Sequence, residues 1–322
     1  MKLLKNKTVL IILSILAVWV IANIILYEPD IPVDLLKAKY TNASSKFMDI
    51  DGMQVHYRVE GEGEPLVLIH GTGAMLQTWD AWVNLLSPHY KIIRMDIPAF
   101  GLTGPRADGV YNDSMYVNFI DQFVKKLGVD SFNLAGNSLG GLIAWKYAAA
   151  YPQKVKKLIL VDPAGFHEVN DKGGSFIFKL ARNWPNLTDL VSKIGTHYFI
   201  EHTLKEVYCD DSKITQQEKT MYAELNRREG NRHSFVERAK YVHQSSEDEL
   251  KPITSPTLIM WGKEDVLIDV AEAEHFKKIA NSSLVVYDKV GHCPQEETSE
   301  RSAADVMRFL IPKSPKGNLN SQ

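Results

Sequence analysis

The sequence carries one pentapeptide with a specific chemical use, Gly136-Asn137-Ser138-Leu139-Gly140, spaced as G-x-S-x-G. Five residues meet that spacing often by chance, so the flanking residues decide its meaning. The apolar run 132–135 before it reads as a strand, and 139–150 after it reads as a helix. A tight strand-to-helix turn strains the backbone and exposes the hydroxyl of the residue at its tip. Glycines on both sides leave room where side chains would strike the neighbouring strand and helix. A plain helix cap is the other use of a serine there.

A serine hydroxyl is a weak nucleophile at neutral pH. It needs a base to take its proton and a carboxylate to orient that base. On this architecture the chain order is serine, acid, histidine. His292 in Gly291-His292-Cys293-Pro294 follows the last apolar run and precedes the last helical pattern, which puts it on a loop at the strands' carboxyl ends. His70 precedes the serine in another loop, and His167, His197, His202, His233 and His243 read as surface groups. Asp265, after the run 257–261, is the expected acid. Asp162, which ends the run 158–161, is a second position able to reach the histidine. Asp269 reads as a helix N-cap, and Glu264 would point elsewhere. A tetrahedral oxyanion needs two donors. They are expected from the backbone N–H of Leu139, at a helix N-terminus, and of Thr72 in His70-Gly71-Thr72-Gly73. Such chemistry requires no metal and no organic cofactor.

These residues must be held by a scaffold, and the hydrophobic pattern supplies one. Short apolar runs at 66–69, 92–95, 132–135, 158–161, 257–261 and 284–287 have the mark of strands buried on both faces. Helical patterns at 116–127, 139–150, 270–279 and 301–309 separate several of them. Alternation of this kind predicts a mostly parallel sheet with helices on both faces. A hairpin, 47–50 and 53–60 around Asp51-Gly52, would lie at one edge. Between 163 and 250 no buried strand is evident. Helical patterns such as 176–182 and 216–228 stand there with many aromatics, including Phe176, Phe178, Trp184, Tyr198, Phe199, Tyr208, Tyr222, Phe235 and Tyr241. This predicts an inserted helical cap whose aromatics are mostly its core, a few lining a pocket.

The amino terminus reads differently. Residues 8–27 carry no charge, and twenty residues at about 1.5 Å each give about 30 Å, a bilayer's hydrocarbon thickness. Lys2, Lys5 and Lys7 precede the run, and Glu28 and Asp30 follow it. The pattern predicts an uncleaved single-pass anchor over 1–27. The lysines would be cytoplasmic and the catalytic part periplasmic or extracellular. A cleaved, secreted form is the alternative, since Val20-Ile21-Ala22 resembles a cleavage site, although the run exceeds the roughly 7–15 residues usual for a signal peptide. The full division expected is 1–27 anchor, 28–46 linker, 47–162 core, 163–250 cap, 251–312 core and 313–322 disordered tail.

Composition narrows the class. Among 322 residues, 37 basic against 39 acidic leave a net charge of −2, which argues against a nucleic-acid binder. Two cysteines exclude a disulfide-built scaffold and a four-cysteine zinc site.

Together, His70-Gly71-Thr72-Gly73, Asp96-Ile97-Pro98-Ala99-Phe100-Gly101, Gly136-Asn137-Ser138-Leu139-Gly140-Gly141, Trp261-Gly262-Lys263-Glu264-Asp265 and Gly291-His292-Cys293-Pro294 resemble the α/β-hydrolase superfamily, in its order and over about 47–312. Haloalkane dehalogenases and epoxide hydrolases are similar in layout, but their nucleophile is an aspartate where Ser138 stands. The Gly-Asn-Ser-Leu-Gly-Gly form is similar to carbon–carbon bond hydrolases of meta-ring-fission products. Those often carry tryptophan after the catalytic histidine, where Cys293 stands. The resemblance implies a serine hydrolase, expected to act on a small apolar ester or acyl substrate as an esterase or lipase-like enzyme anchored in the bilayer. Carbon–carbon hydrolysis is the alternative, and a non-catalytic ligand-binding protein on the same fold is the alternative of another class.

Overall fold

The computed structural model describes residues 7–166, 176–241 and 245–311. The tail 313–322, Lys2, Lys5, His167 and His243 lie outside the described residues, as do the side chains of Phe176 and Phe178.

Eight strands form one sheet: β1 Ser45–Ile50, β2 Met53–Glu60, β3 Glu64–Ile69, β4 Tyr90–Met95, β5 Phe132–Asn137, β6 Val155–Val161, β7 Thr257–Gly262 and β8 Ser282–Tyr287. Their spatial order is β1-β2-β4-β3-β5-β6-β7-β8. β1 and β2 run antiparallel at one edge, β2 pairs antiparallel with β4, and the rest are parallel. The edge hairpin turns on Asp51 (φ 51°) and Gly52 (φ 78°), the left-handed pair that matches strand twist. Leu66, Val67, Leu68 and Ile69 of β3 have no exposed surface, which is why this run is apolar at every position.

The helices are α1 Lys7–Leu26, α2 Val33–Tyr40, α3 Asp80–Leu86, α4 Asp113–Lys126, α5 Leu139–Ala150, α6 Phe176–Asn183, α7 Pro185–Val191, α8 Thr196–Val207, α9 Gln216–Asn226, α10 Asn231–Ala239, α11 Ala273–Phe276, α12 Pro294–Glu297 and α13 Ser299–Leu310. One face of the sheet packs under α4, α5 and α11 through Phe119, Phe123, Trp145 and Phe276. The other packs under α3 and α13 through Trp82, Leu86, Val306 and Leu310. Helices α6–α10 all fall between β6 and β7, where the described residues contain no strand of the sheet. Leu204, Tyr208, Tyr222 and Leu225 form their own small core with Met75 and Leu36.

The expectation of a membrane anchor, and with it of a catalytic part held across a membrane in the periplasm or outside the cell, is corrected here. The apolar run does form a helix, α1, ending at Leu26, but among the described residues no helix is long and apolar enough to cross a membrane. The physical difference lies at the helix's end. The Leu26 carbonyl accepts from Gly195 N at 2.8 Å, Tyr27 bridges Ile194, and Glu28 N donates to Lys193 O at 2.7 Å. These backbone bonds build the end of α1 into the protein's own surface. An apolar run records composition; it does not record where the chain ties down the run's end.

Candidate active site

Ser138 stands between β5 and α5 with φ 56° and ψ −118°, a conformation that non-glycine residues rarely adopt. Its own N–H donates to Val161 O at 3.0 Å, and its carbonyl accepts from Leu142 N and Ala164 N, so both sides of the turn are pinned. The glycines are needed for space. A Cβ on Gly136 would lie 2.1 Å from Gly140 O, and one on Gly140 would lie 2.1 Å from Ile69 O.

His292 is buried on the loop after β8. Its Nδ1 lies 2.6 Å from Asp265 Oδ2. Asp265 Oδ1 accepts from Leu267 N at 2.8 Å and Ile268 N at 3.0 Å, which fixes the carboxylate's direction. The fold therefore joins the expected base and acid directly. The rivals are otherwise engaged. Asp269 accepts from Ala271 N as an N-cap, and Glu264 Oε2 accepts from Val290 N. Asp162 is fully buried at the end of β6, and its Oδ1 accepts from Gly262 N at 2.9 Å. Ligand atoms of Asp162, Asp265 and His292 all lie within 4.8 Å of one another. Within this cluster His292 Nδ1 and Asp265 Oδ2 face each other in a hydrogen bond.

Ser138, His292, Leu139 and Thr72 all line one cavity of about 550 Å³. The Thr72 loop is braced by His70. Nδ1–H of this buried imidazole donates to Gly71 O at 2.8 Å, and Nε2 accepts from Ile97 N at 3.1 Å. Burial pulls the His70 imidazole below its usual range and keeps the ring neutral, as the accepting Nε2 requires. The cavity extends under the inserted helices, where Ile194, Phe199, Leu204, Val207, Phe235 and Val236 form an apolar wall. Of the expected aromatics, Phe199, Tyr222, Phe235 and Tyr241 line it, while Trp184 and Tyr198 are exposed. His202 and His233 lie on the surface, as expected, and His197 is half-buried.

Two features escaped the reading of the motifs. Asn137, the variable position before the serine, donates from Nδ2 to His292 O at 3.0 Å and Val161 O at 3.2 Å, tying the histidine loop to the serine turn. His292 N donates to Val207 O at 2.7 Å, so the end of α8 also holds that loop. Neither bond has a motif-level signal, because one uses a variable position and the other a carbonyl.

A mostly parallel sheet, a serine at a strained strand-to-helix turn and a buried histidine–aspartate pair define the α/β-hydrolase class. Residues 64–299 match the family model described as the alpha/beta hydrolase fold, and the chain belongs to that family. It is 28% identical over 297 residues to the 2-hydroxy-6-oxononadienedioate/2-hydroxy-6-oxononatrienedioate hydrolase of Burkholderia vietnamiensis, covering 84% of this chain and 96% of that one. It is 26% identical over 294 residues to the 2-hydroxy-6-oxo-6-phenylhexa-2,4-dienoate hydrolase of Burkholderia cepacia, covering 84% and 97%. Among solved structures it is similar to a candidate lipase from Acinetobacter baumannii, with TM-score 0.71 and 26% identity over 87% of this chain and 96% of that one.

Proposed function

We propose that the protein is a serine hydrolase that cleaves apolar carboxylic esters through an acyl-enzyme. Ser138 Oγ attacks the carbonyl carbon while His292 takes the hydroxyl proton. Asp265, bonded to His292 Nδ1, holds the productive tautomer and stabilises the imidazolium. The N–H groups of Leu139 and Thr72 stabilise the oxyanion. His292 then protonates the leaving alcohol, and water releases the acyl group by the same route. The observation that carries this reading is Ser138 and His292 on one apolar-walled cavity, with His292 Nδ1 bonded to a buried Asp265 at 2.6 Å.

A second reading, hydrolysis of a carbon–carbon bond in a vinylogous diketone, is favoured by the names of the relatives above. The same groups serve both. The full chain is assayed on p-nitrophenyl esters of graded length and, in parallel, on a dienolate whose visible absorbance disappears on cleavage. Ester turnover with little dienolate loss is expected, and the reverse ranking selects the second reading. Ser138→Ala is expected to lower turnover by 10⁴-fold or more on the order of triad knockouts and to abolish labelling by a fluorophosphonate. A Ser138→Ala protein with full activity refutes both readings.

A further inference from the structure

Asp162 does not enter the steps above, yet it is the most confined carboxyl group beside them. It has no exposed surface and sits at φ 42°, so the chain accepts left-handed strain at a β-branched-free but non-glycine residue to put it there. One oxygen, Oδ1, accepts from Gly262 N. The other, Oδ2, is buried with no hydrogen-bond partner of its own. An orphaned carboxylate oxygen at full burial carries a large desolvation cost. Asp265 and His292 each present a polar atom within 4.8 Å of an Asp162 carboxylate oxygen.

Two carboxylates at that separation in a buried site do not both ionise cheaply. Asp265 Oδ1 receives two backbone N–H groups, and Oδ2 faces the imidazole. Asp162 receives one backbone N–H and no cation. The negative charge therefore belongs on Asp265. A proton on Asp162 Oδ2 converts that orphaned acceptor into a donor. We infer that Asp162 is a neutral carboxylic acid and a positioning residue, donating from Oδ2 to the Asp265 carboxylate, and that it assumes the negative charge when Asp265 loses its own. Burial first, and the neighbouring Asp265 charge second, hold the Asp162 carboxyl well above the usual carboxylate range. Glu297, Cys293 and Tyr287 also act on it or feel it, and none is cationic.

This inference rests on the triad reading of Ser138, His292 and Asp265. The test is a double-mutant cycle in the full chain, read as kcat on one ester. Asp162→Asn keeps an acceptor for Gly262 N and supplies an amide donor, and it lowers kcat a few-fold. Asp265→Asn lowers kcat by about 10²-fold, because Asp162 then ionises beside His292. That loss is smaller than the roughly 10⁴-fold an amide costs in a triad without a second carboxyl. The double variant falls by about 10⁴-fold or more. A double variant no slower than Asp265→Asn overturns the inference, as does Asp162→Asn alone falling to the double variant's rate. The infrared carbonyl band of a neutral carboxylic acid supplies a readout independent of turnover. It is expected in the wild type minus Asp162→Asn difference spectrum at neutral pH, and its absence overturns the inference. Should Asp162→Asn not fold, the wild type minus Asp265→Asn spectrum carries the same expectation. The triad reading is judged separately. Ser138→Ala or His292→Ala retaining full turnover sinks the triad, whereas two inactive variants with an additive carboxylate cycle sink only the role of Asp162.

Discussion

Residue types and bond patterns do not make a site by themselves, and this molecule contains its own control. Ser45 Oγ lies 3.0 Å from His56 Nε2, and His56 Nδ1 lies 2.8 Å from Asp96 Oδ2. That is the bonding order of a catalytic triad. Yet Ser45 also accepts from Arg58 Nε and Asn42 N, which occupy its lone pairs, and it does not line the cavity of Ser138. Asp96 accepts from Leu76 N and Leu102 N, so this array braces loops. What separates the two serines is the strained turn at Ser138 and the cavity that Ser138 lines together with His292, Thr72 and Leu139. A further residue beside the site gives a pH dependence. Burial pushes the Glu296 carboxyl, three residues past Cys293, up to about 8 from an ordinary 4.5. The unfolded chain sheds that proton from about pH 4.5, while the folded chain keeps it until about pH 8. Folding stability from this group is therefore lost as pH rises through that window and is level above it. Glu296→Gln removes the ionisation. Thermal melts should find the variant more stable than wild type at pH 7.5, by a few kcal/mol at most, with the gain vanishing near pH 4.5. A constant difference across that range would exclude Glu296 as its source.

At the scale of elements, what the sequence discloses depends on how each element is buried. Strands covered on both faces are mostly apolar, so β3, β4, β5, β6 and β7 stand out as runs, each lengthened at one or both ends in the structure, whereas β8, expected to be buried on both faces, is an edge strand buried fully only at Tyr287. α5 is legible for the same reason, being buried nearly all round between the sheet and its neighbours. α10 is not. Its buried positions include Asn231, Arg232, Ser234 and Arg238, so polar networks replace the apolar period that would mark a helix. The stretch 270–279 is shorter than its pattern implies. The Asp269 side chain caps a single 3₁₀ turn, α11 spans only Ala273–Phe276, and the chain turns at Asn281 with φ 61°. The site follows the same logic. Ser138, His292 and Asp265 sit at strand ends, where run boundaries locate them, whereas Asn137 and Val207 act through contacts that no spacing encodes. The junction of α5 with β3 tests the steric part of this account. A methyl on Gly140 would meet the Ile69 and His70 carbonyls at 2.1 and 2.6 Å, and neither backbone can yield without moving the loop that carries Thr72. Gly140→Ala should cost about 3 kcal/mol or more by denaturant midpoint. Gly128→Ala, where φ is 67° but nothing lies within 4 Å of the added methyl, should cost only about 1 kcal/mol of backbone strain. Equal losses would show that conformational strain, and not close approach, sets the requirement.

At the scale of the whole molecule, the segment between α1 and β1 works as a strap across the inserted helices. Ile31 N donates to Arg227 O, and Glu229 N donates to Ile31 O. Lys39 Nζ and Tyr40 Oη both reach Glu224 at 2.7 Å, anchoring α2 to α9. The centre of the strap is Asp30. Its Oδ1 accepts from Arg232 Nη2 at 2.6 Å and Nε at 3.1 Å, and Lys193 Nζ lies 3.0 Å from Oδ2. Arg232 also donates to Ser192 O and Thr196 Oγ1, and these three residues line the cavity. A segment distant from Ser138 in sequence thus braces part of the wall of the cavity that Ser138 lines. Burial opposes ionisation of Asp30, but Arg232 and Lys193 outweigh it and hold the carboxyl below the usual range. The stabilisation is present above the ordinary aspartate range and is lost as acid protonates the group. Asp30→Ala leaves the nearly buried Arg232 guanidinium without its carboxylate. With partial exposure of Asp30 screening the pair, the expected loss is on the order of 1 kcal/mol. The loss should fade toward low pH, where the wild-type carboxyl is protonated too. The kinetic consequence should be selective. KM for long-chain p-nitrophenyl esters should rise several-fold while that for the acetate ester barely changes, because only the longer chain reaches the wall that the strap supports. A uniform rise in KM, or a fall in kcat for the acetate, would place the effect at the serine end of the cavity and remove the strap from any part in chain-length selection.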